Sequence, residues 1–192
     1  VNIRVYIDNS MNIIRKISEG TLDVAVIEGN VKTKDVIFKD IFEDEMVLIC
    51  GKTHPFAGRS SINLTDLAGK AFVLREEGSG TREFLTDLTE NRGIPIVEKW
   101  ICHSSDSIIN IVASGQGVSI LSKSLLRHHD EVNQIAINDF PLKRSFKIVY
   151  HVYKRQTITC TLSAQVTAFT LKAVEKLMFQ AIRAFPASAC IP

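Results

Sequence analysis

The sequence predicts an α/β fold divided into two lobes, and three observations predict it. Apolar runs of strand length alternate with amphipathic helical segments along the 192 residues. Helices repeatedly open on Gly, Ser, Thr or Asn directly after a strand. The first 46 residues hold too few elements to make a core alone, while the long closing helix needs a sheet to cover. Joining those two ends gives lobe I, residues 1–49 with 155–192, and leaves residues 50–154 as lobe II. Two chain crossings between the lobes form a hinge and a cleft, a natural place for a small ligand.

The elements follow in order. Val1, Ile3, Val5 and Ile7 alternate with more polar residues, the period of a strand with one buried face. Asn9 and Ser10 offer caps to a helix whose inner face is Met11, Ile13, Ile14 and Ile17, and Gly20 is placed to end it. Residues 22–27 form a nearly continuous apolar run, as in a strand covered on both sides. Strand, helix and strand in 27 residues read as one βαβ unit, hence a parallel sheet. Residues 36–42 and 46–50 read as two further strands, and a turn capped by Thr65 leads to another at 71–74. A helix opens at Thr81 with Phe84, Leu85 and Leu88 inward, and a strand covers 96–102. A buried helix carrying Ile108, Ile109, Ile111 and Val112 stops at Gly115, before an apolar strand at 118–121. Residues 146–153 are β-branched and aromatic, a strand, and Leu162 to Met178 shows helical periodicity.

Composition excludes several functions. Twenty-three basic against 21 acidic side chains leave a net +2, without the concentrated basic stripe of a nucleic-acid reader. The densest basic runs, Lys143-Arg144 with Lys147 and Lys154-Arg155, read as a solvated face. Cys50, Cys102, Cys160 and Cys190 are widely spaced, with no CxxC pair and no Cys/His cluster of zinc spacing, so neither a metal nor a cofactor is expected. They read as packed thiols in a reduced setting; Cys102, beside His103, has the alternative of a redox-sensitive thiol. No apolar run approaches the roughly 18 residues of a membrane span, and no signal peptide precedes Val1, so a cytoplasmic location is expected. His54, His103 and His151 occur singly, and there is no GxSxG elbow, HExxH or paired nucleophile and base; the expectation is not an enzyme.

Gly78-Ser79-Gly80-Thr81 is the most informative local motif. It lies after a strand at a helix start, where free backbone N–H groups and the positive helix end face one spot. Its glycines admit close backbone approach, Ser79 and Thr81 add hydroxyls, and Arg82 offers charge. The alternative is an ordinary glycine turn with a Thr cap, and no Lys-Ser/Thr follows to make a P-loop. Ser104-Ser105 and Asn9-Ser10 stand at two further helix starts and are either plain caps or ligand contacts. Three such starts at the C-terminal ends of strands mark the edge where open α/β sheets bind ligands.

Several segments in this order resemble LysR-type transcriptional regulators in their effector-binding domain. Gly20-Thr21-Leu22-Asp23-Val24-Ala25 looks like the family's G-x-L-D-hydrophobic-A segment, and His54-Pro55-Phe56-Ala57 like its HP turn. Arg75 to Arg82 and Val112 to Leu121 match two further stretches, with Gln116 where Leu is commoner. The resemblance implies two Rossmann-like lobes joined by two crossover strands, as in type II periplasmic binding proteins, with a small effector between them. It carries Asn9, Ser10, Gly78, Ser79, Gly80, Thr81, Ser104 and Ser105 over as cleft residues, and these neutral donors favour an anionic or carboxylate-bearing effector. It also implies that DNA is bound only through an N-terminal winged-helix domain absent here, and that the full-length protein is a homodimer or homotetramer. The chain looks as if it starts at the family's second effector-domain strand, so the first strand and helix are expected to be missing and ligand binding compromised. A solute-binding protein and a small-metabolite enzyme share the scaffold and stand as alternatives.

Overall fold

The computed structural model describes residues 4–29, 33–138, 140–154 and 190–191. Its elements are α1 (Ser10–Ser18), β1 (Val24–Glu28), β2 (Val36–Gly51), β3 (Ser61–Ile62), β4 (Ala71–Arg75), α2 (Gly80–Glu90), β5 (Val97–Cys102), α3 (Ser105–Ala113), β6 (Val118–Ser122), β7 (Val132–Ile137), β8 (Lys143–His151) and β9 (Cys190–Ile191).

In lobe I, Asn9 caps α1 by accepting the Asn12 N–H at 3.0 Å, and Gly20 at φ +73° closes it with its N–H on the Ile17 carbonyl. Ile13, Ile14 and Ile17 pack onto Ile27, Val36 and Val149. The sheet beneath runs β1-β8-β2 and is antiparallel throughout, from Val24↔Tyr150 to Glu28↔Phe146 and from Val36↔His151 to Glu45↔Lys143.

β2 then continues into lobe II. Its second half pairs with β6 from Met46↔Ser122 to Cys50↔Val118, and with β7 from Leu48↔Ile135 to Gly51↔Val132. β4 lies parallel to both β6 and β5, and β3 parallel to β7. Residue alternation sends Leu48, Cys50, Phe72 and Ile120 to one face, under Leu85 and Leu88 of α2. Val47, Ile49, Val73 and Leu121 go to the other, under Ile108, Ile109 and Val112 of α3. A sheet buried on both faces explains the unbroken apolar run of β6.

Several expectations change. Residues 4–7 form no strand; Val5, Tyr6 and Ile7 are 75%, 53% and 48% exposed. Among the described residues no chain lies alongside to satisfy their backbone groups, so their alternation has no ladder to join. Among the described residues the expected βαβ unit and parallel sheet are therefore not formed at this end: β1 pairs antiparallel with β8 and buries only Ile27 fully. Residues 36–42 and 46–50 are one 16-residue strand with an irregularity between Asp40 and Phe42. The short turn after β3 is capped by Asn63 with Asp66, not by Thr65. Met11 faces solvent.

Residues 46–49 pack in the two cores that also hold α2 and α3, while residues 146–151 pair with β1 and the first half of β2. The predicted helix over 162–178, and Cys160, lie outside the described residues. No helix among those described is long and apolar enough to cross a membrane, and none of their His, Cys, Asp and Glu side chains group as three or more around a metal position.

Candidate functional site

β4 and β5 are parallel neighbours, registered Arg75↔Cys102, and each turns into a helix at the same sheet edge. The Glu76 N–H donates to the Cys102 carbonyl at 3.2 Å, which ties the two turns together. Gly78 makes the first turn at φ +80°, a conformation that disfavours any side chain. Ser79 and Ser104 are then the extended N-cap residues of α2 and α3, yet neither side chain makes the usual capping bond. Their hydroxyls, only 1% and 3% exposed by residue, have no hydrogen-bond partner among the described residues, and neither has that of Ser107 one turn into α3. Ser105 beside them is buried.

Lobe I closes directly onto this edge. The Met11 N–H donates to the Gly78 carbonyl at 3.1 Å, and the Asn9 side-chain amide reaches the Glu77 carbonyl at 3.4 Å. Ser10 donates its hydroxyl to the Glu28 carbonyl at 2.7 Å. Gly80 fits because it lacks a side chain: a Cβ there would stand 2.2 Å from the Glu28 carbonyl oxygen. Asn9, Ser10 and residues 78–81 thus meet where the lobes touch, and Ser104 and Ser105 lie beside the glycine loop through the β4–β5 register. The polar groups of Asn9, Ser10 and Thr81 are engaged by protein, Gly78 and Gly80 are spacers, and Ser79 and Ser104 have hydroxyls without a partner among the described residues.

Thr81 accepts from Arg144 Nη1 at 3.0 Å and donates to Glu28 Oε1 at 3.4 Å. The Arg144 guanidinium, its side chain 6% exposed, also pairs with the Glu28 carboxylate and donates from Nε to Asp44 Oδ2 at 2.8 Å. The second Asp44 oxygen accepts from Ser122 at 2.7 Å. Arg144 is therefore not part of a solvated basic face; its neighbour Lys143 pairs with Glu43, and Lys154 with Asp23. Arg82 brings no charge to the cleft, because its guanidinium clasps both Glu98 oxygens and the Arg75 carbonyl.

Sequence reasoning missed Arg144, Glu28 and Asp44, since Arg144 and Asp44 are 100 residues apart and meet only through the β2–β8 register. It missed Ser107 too, although a third serine three residues after the cap was a readable signal. A cavity of about 440 Å³ adjoins the Thr81–Arg144 contact, lined by Glu83, Phe84 and Leu88 of α2 together with Gly29, Gly80 and Arg144 among others. Burial holds the Glu83 carboxyl above its ordinary range there, reinforced by Asp87 and Glu28.

Cys50 and Cys102 are fully buried, and burial raises the Cys50 thiol. His54 accepts the Phe56 N–H at 3.1 Å, and burial, with Lys70 nearby, lowers its basicity.

The LysR substrate binding domain model matches residues 1–161. The HTH-type transcriptional regulator CysL of Bacillus subtilis (strain 168) is 33% identical over 153 residues, covering 78% of this chain and 51% of CysL. The RuBisCO operon transcriptional regulator of Allochromatium vinosum is 27% identical over 158 residues, 81% of this chain and 52% of its own length. The chain spans about half the length of these curated relatives. The CcmR regulatory domain of Synechocystis PCC6803, solved with 2-PG, superposes at TM-score 0.68 and 24% identity, covering 83% of this chain and 81% of that one. The effector-binding domain of QuiR, solved with shikimate, superposes at TM-score 0.69 and 23% identity over 76% and 69% of the two chains. These likenesses bear out the two-lobed, periplasmic-binding-protein-like fold. With the family model covering most of its length, the chain belongs to the LysR substrate binding domain family.

Proposed function

We propose that this chain is the effector-sensing domain of a LysR-type transcriptional regulator. A small anionic metabolite binds where the N-termini of α2 and α3 meet the Asn9–Ser10 edge of lobe I. One observation carries the reading: Ser79 and Ser104, N-caps on adjacent strands, bury hydroxyls that have no partner among the described residues. A buried hydroxyl without a hydrogen bond costs about 1–3 kcal/mol. A carboxylate or phosphate oxygen would take bonds from these hydroxyls and from the free first-turn amides, with both helix dipoles favouring its charge. Ser105 and Ser107 extend the donor set. Entry requires Asn9–Met11 to part from Glu77–Gly80, so the effector couples to lobe opening and closing.

In the whole regulator, DNA contact falls to a winged-helix domain outside this chain, consistent with the +2 charge here. The whole protein works in the cytoplasm as a homodimer or homotetramer. Family membership favours this reading over a solute-binding protein or an enzyme, which share only the scaffold.

Thermal-shift measurements on the complete regulator against sulfate, phosphate and small mono- and dicarboxylates test the proposal. At least one anion should raise the midpoint with the concentration dependence of mass action. Ser79→Ala and Ser104→Ala should hold or raise the unliganded midpoint while removing the shift. A shift that persists in the double variant contradicts the site.

A further inference from the structure

The interlobe region contains a second device, built from charged residues and independent of any effector. Asp44 and Arg144 are direct register partners across the two strands that cross between lobes. Glu28 sits at the end of β1, paired with Phe146, two residues along β8 from Arg144. The Glu28–Arg144–Asp44 cluster is therefore anchored on the lobe I side of the hinge, through strand pairings that do not require the lobes to touch. Thr81 belongs to lobe II, in the first turn of α2. Its single hydroxyl inserts into that cluster, accepting from the guanidinium and donating to the carboxylate of one ion pair.

We infer that Thr81 is the bolt of a closure latch whose keeper is the Glu28–Arg144 pair, and that this latch sets how much of the protein stands closed before any effector binds. Three features support the assignment. The donor and one acceptor site of the Thr81 hydroxyl are used across the lobe boundary, so its protein partners are reached only when the lobes meet. The 3.0 Å bond from the Arg144 guanidinium is charge-assisted, the stronger class of hydrogen bond, and the 3.4 Å contact to Glu28 is a longer, weaker one. Beside it, Gly80 lies so close to the Glu28 backbone that no side chain fits, and Gly29 meets the Gly80 Cα in the same way. Close backbone approach and a charge-assisted hydroxyl thus act at one point. This separates two roles within the glycine loop: Ser79 faces the effector, and Thr81 holds the jaws.

The amide of Met11, which donates to the Gly78 carbonyl in the opposite lobe, reports closure directly. Hydrogen exchange on the complete regulator, without added anions, compares wild type with Thr81→Val, which keeps the shape and loses the hydroxyl, and Thr81→Ser, which keeps the hydroxyl. Thr81→Val should raise exchange about tenfold in peptides spanning 9–12 and 78–82, the ratio expected for losing one hydrogen bond to a charged group. Thr81→Ser should match wild type, and peptides from β6 should not change in either. Gly80→Ala, a wedge at the same contact, should open the same peptides. Unchanged exchange in Thr81→Val, or a rise shared equally with β6, would overturn the latch. Because no ligand is present, either result leaves the Ser79 and Ser104 test to stand or fall separately.

Discussion

In lobe II the sheet is covered on both faces, with Leu48 and Phe72 under α2 and Ile49 and Val73 under α3. In lobe I the described sheet has three strands, one helix and a six-residue buried cluster, and Val24 at its edge is 41% exposed. Both lobes border the proposed site, but unequally. Lobe II presents two helix N-termini fixed by the β4–β5 register, whereas lobe I presents the start of α1 and a strand end held to lobe II by a few hydrogen bonds. Lobe II thus fixes its donors by strand register, whereas lobe I reaches them through the start of α1 and the end of β1.

That comparison can be broken most sharply through the cores. Phe72→Ala, at a fully buried position of lobe II, should cost about 3–5 kcal/mol in urea unfolding of the chain. Ile17→Val, at the fully buried centre of the lobe I cluster, should cost only about 0.5–1.5 kcal/mol. Its effect should also be local, raising exchange in α1 before β6. If Ile17→Val instead loosened both lobes together, the two would be one cooperative unit and the division would fail.

A smaller effect concerns the charges packed along α2. Burial, with Asp87 and Glu28 beside it, holds the Glu83 carboxyl above its ordinary value of 4.5, so the folded protein binds its proton more tightly than the unfolded chain. Stability from this group is complete below the unfolded value and lost as pH rises through the folded one. Glu83→Gln should therefore raise the thermal midpoint at neutral pH, and the gain should vanish as pH falls below the ordinary glutamate range. A gain that grows on acidification would show the opposite shift.

Much of lobe II was legible in the sequence because its signals are local. Gly115 at φ +81° stops α3, the alternation of β2 and β4 matches both core faces, and the glycine loop lies where a strand becomes a helix. Lobe I was less legible, because its sheet joins residues 24–28 to 143–151 and no local pattern announces that pairing. Val5 and Ile7 carry the right period for a strand, but period alone does not supply a neighbour. The site divides in the same way. Hydroxyls at helix starts are readable, whereas Arg144 looked like surface charge until its register with Asp44 was known. β3 and β7 were not anticipated: the two-residue β3 has no period, and in the six-residue β7 the inward Val132, Ile135 and Ile137 break strict alternation.

In the proposed function an anionic effector sits on the first turns of α2 and α3. Hydrogen exchange on the complete regulator, with and without the anion found by thermal shift, measures this at the amides themselves. Slowed exchange at residues 80–82 and 105–107, absent in Ser79→Ala with Ser104→Ala, is the predicted result. Protection confined to residues 84–92 and 140–147, which line the cavity between α2 and β8, would contradict it and move the effector there.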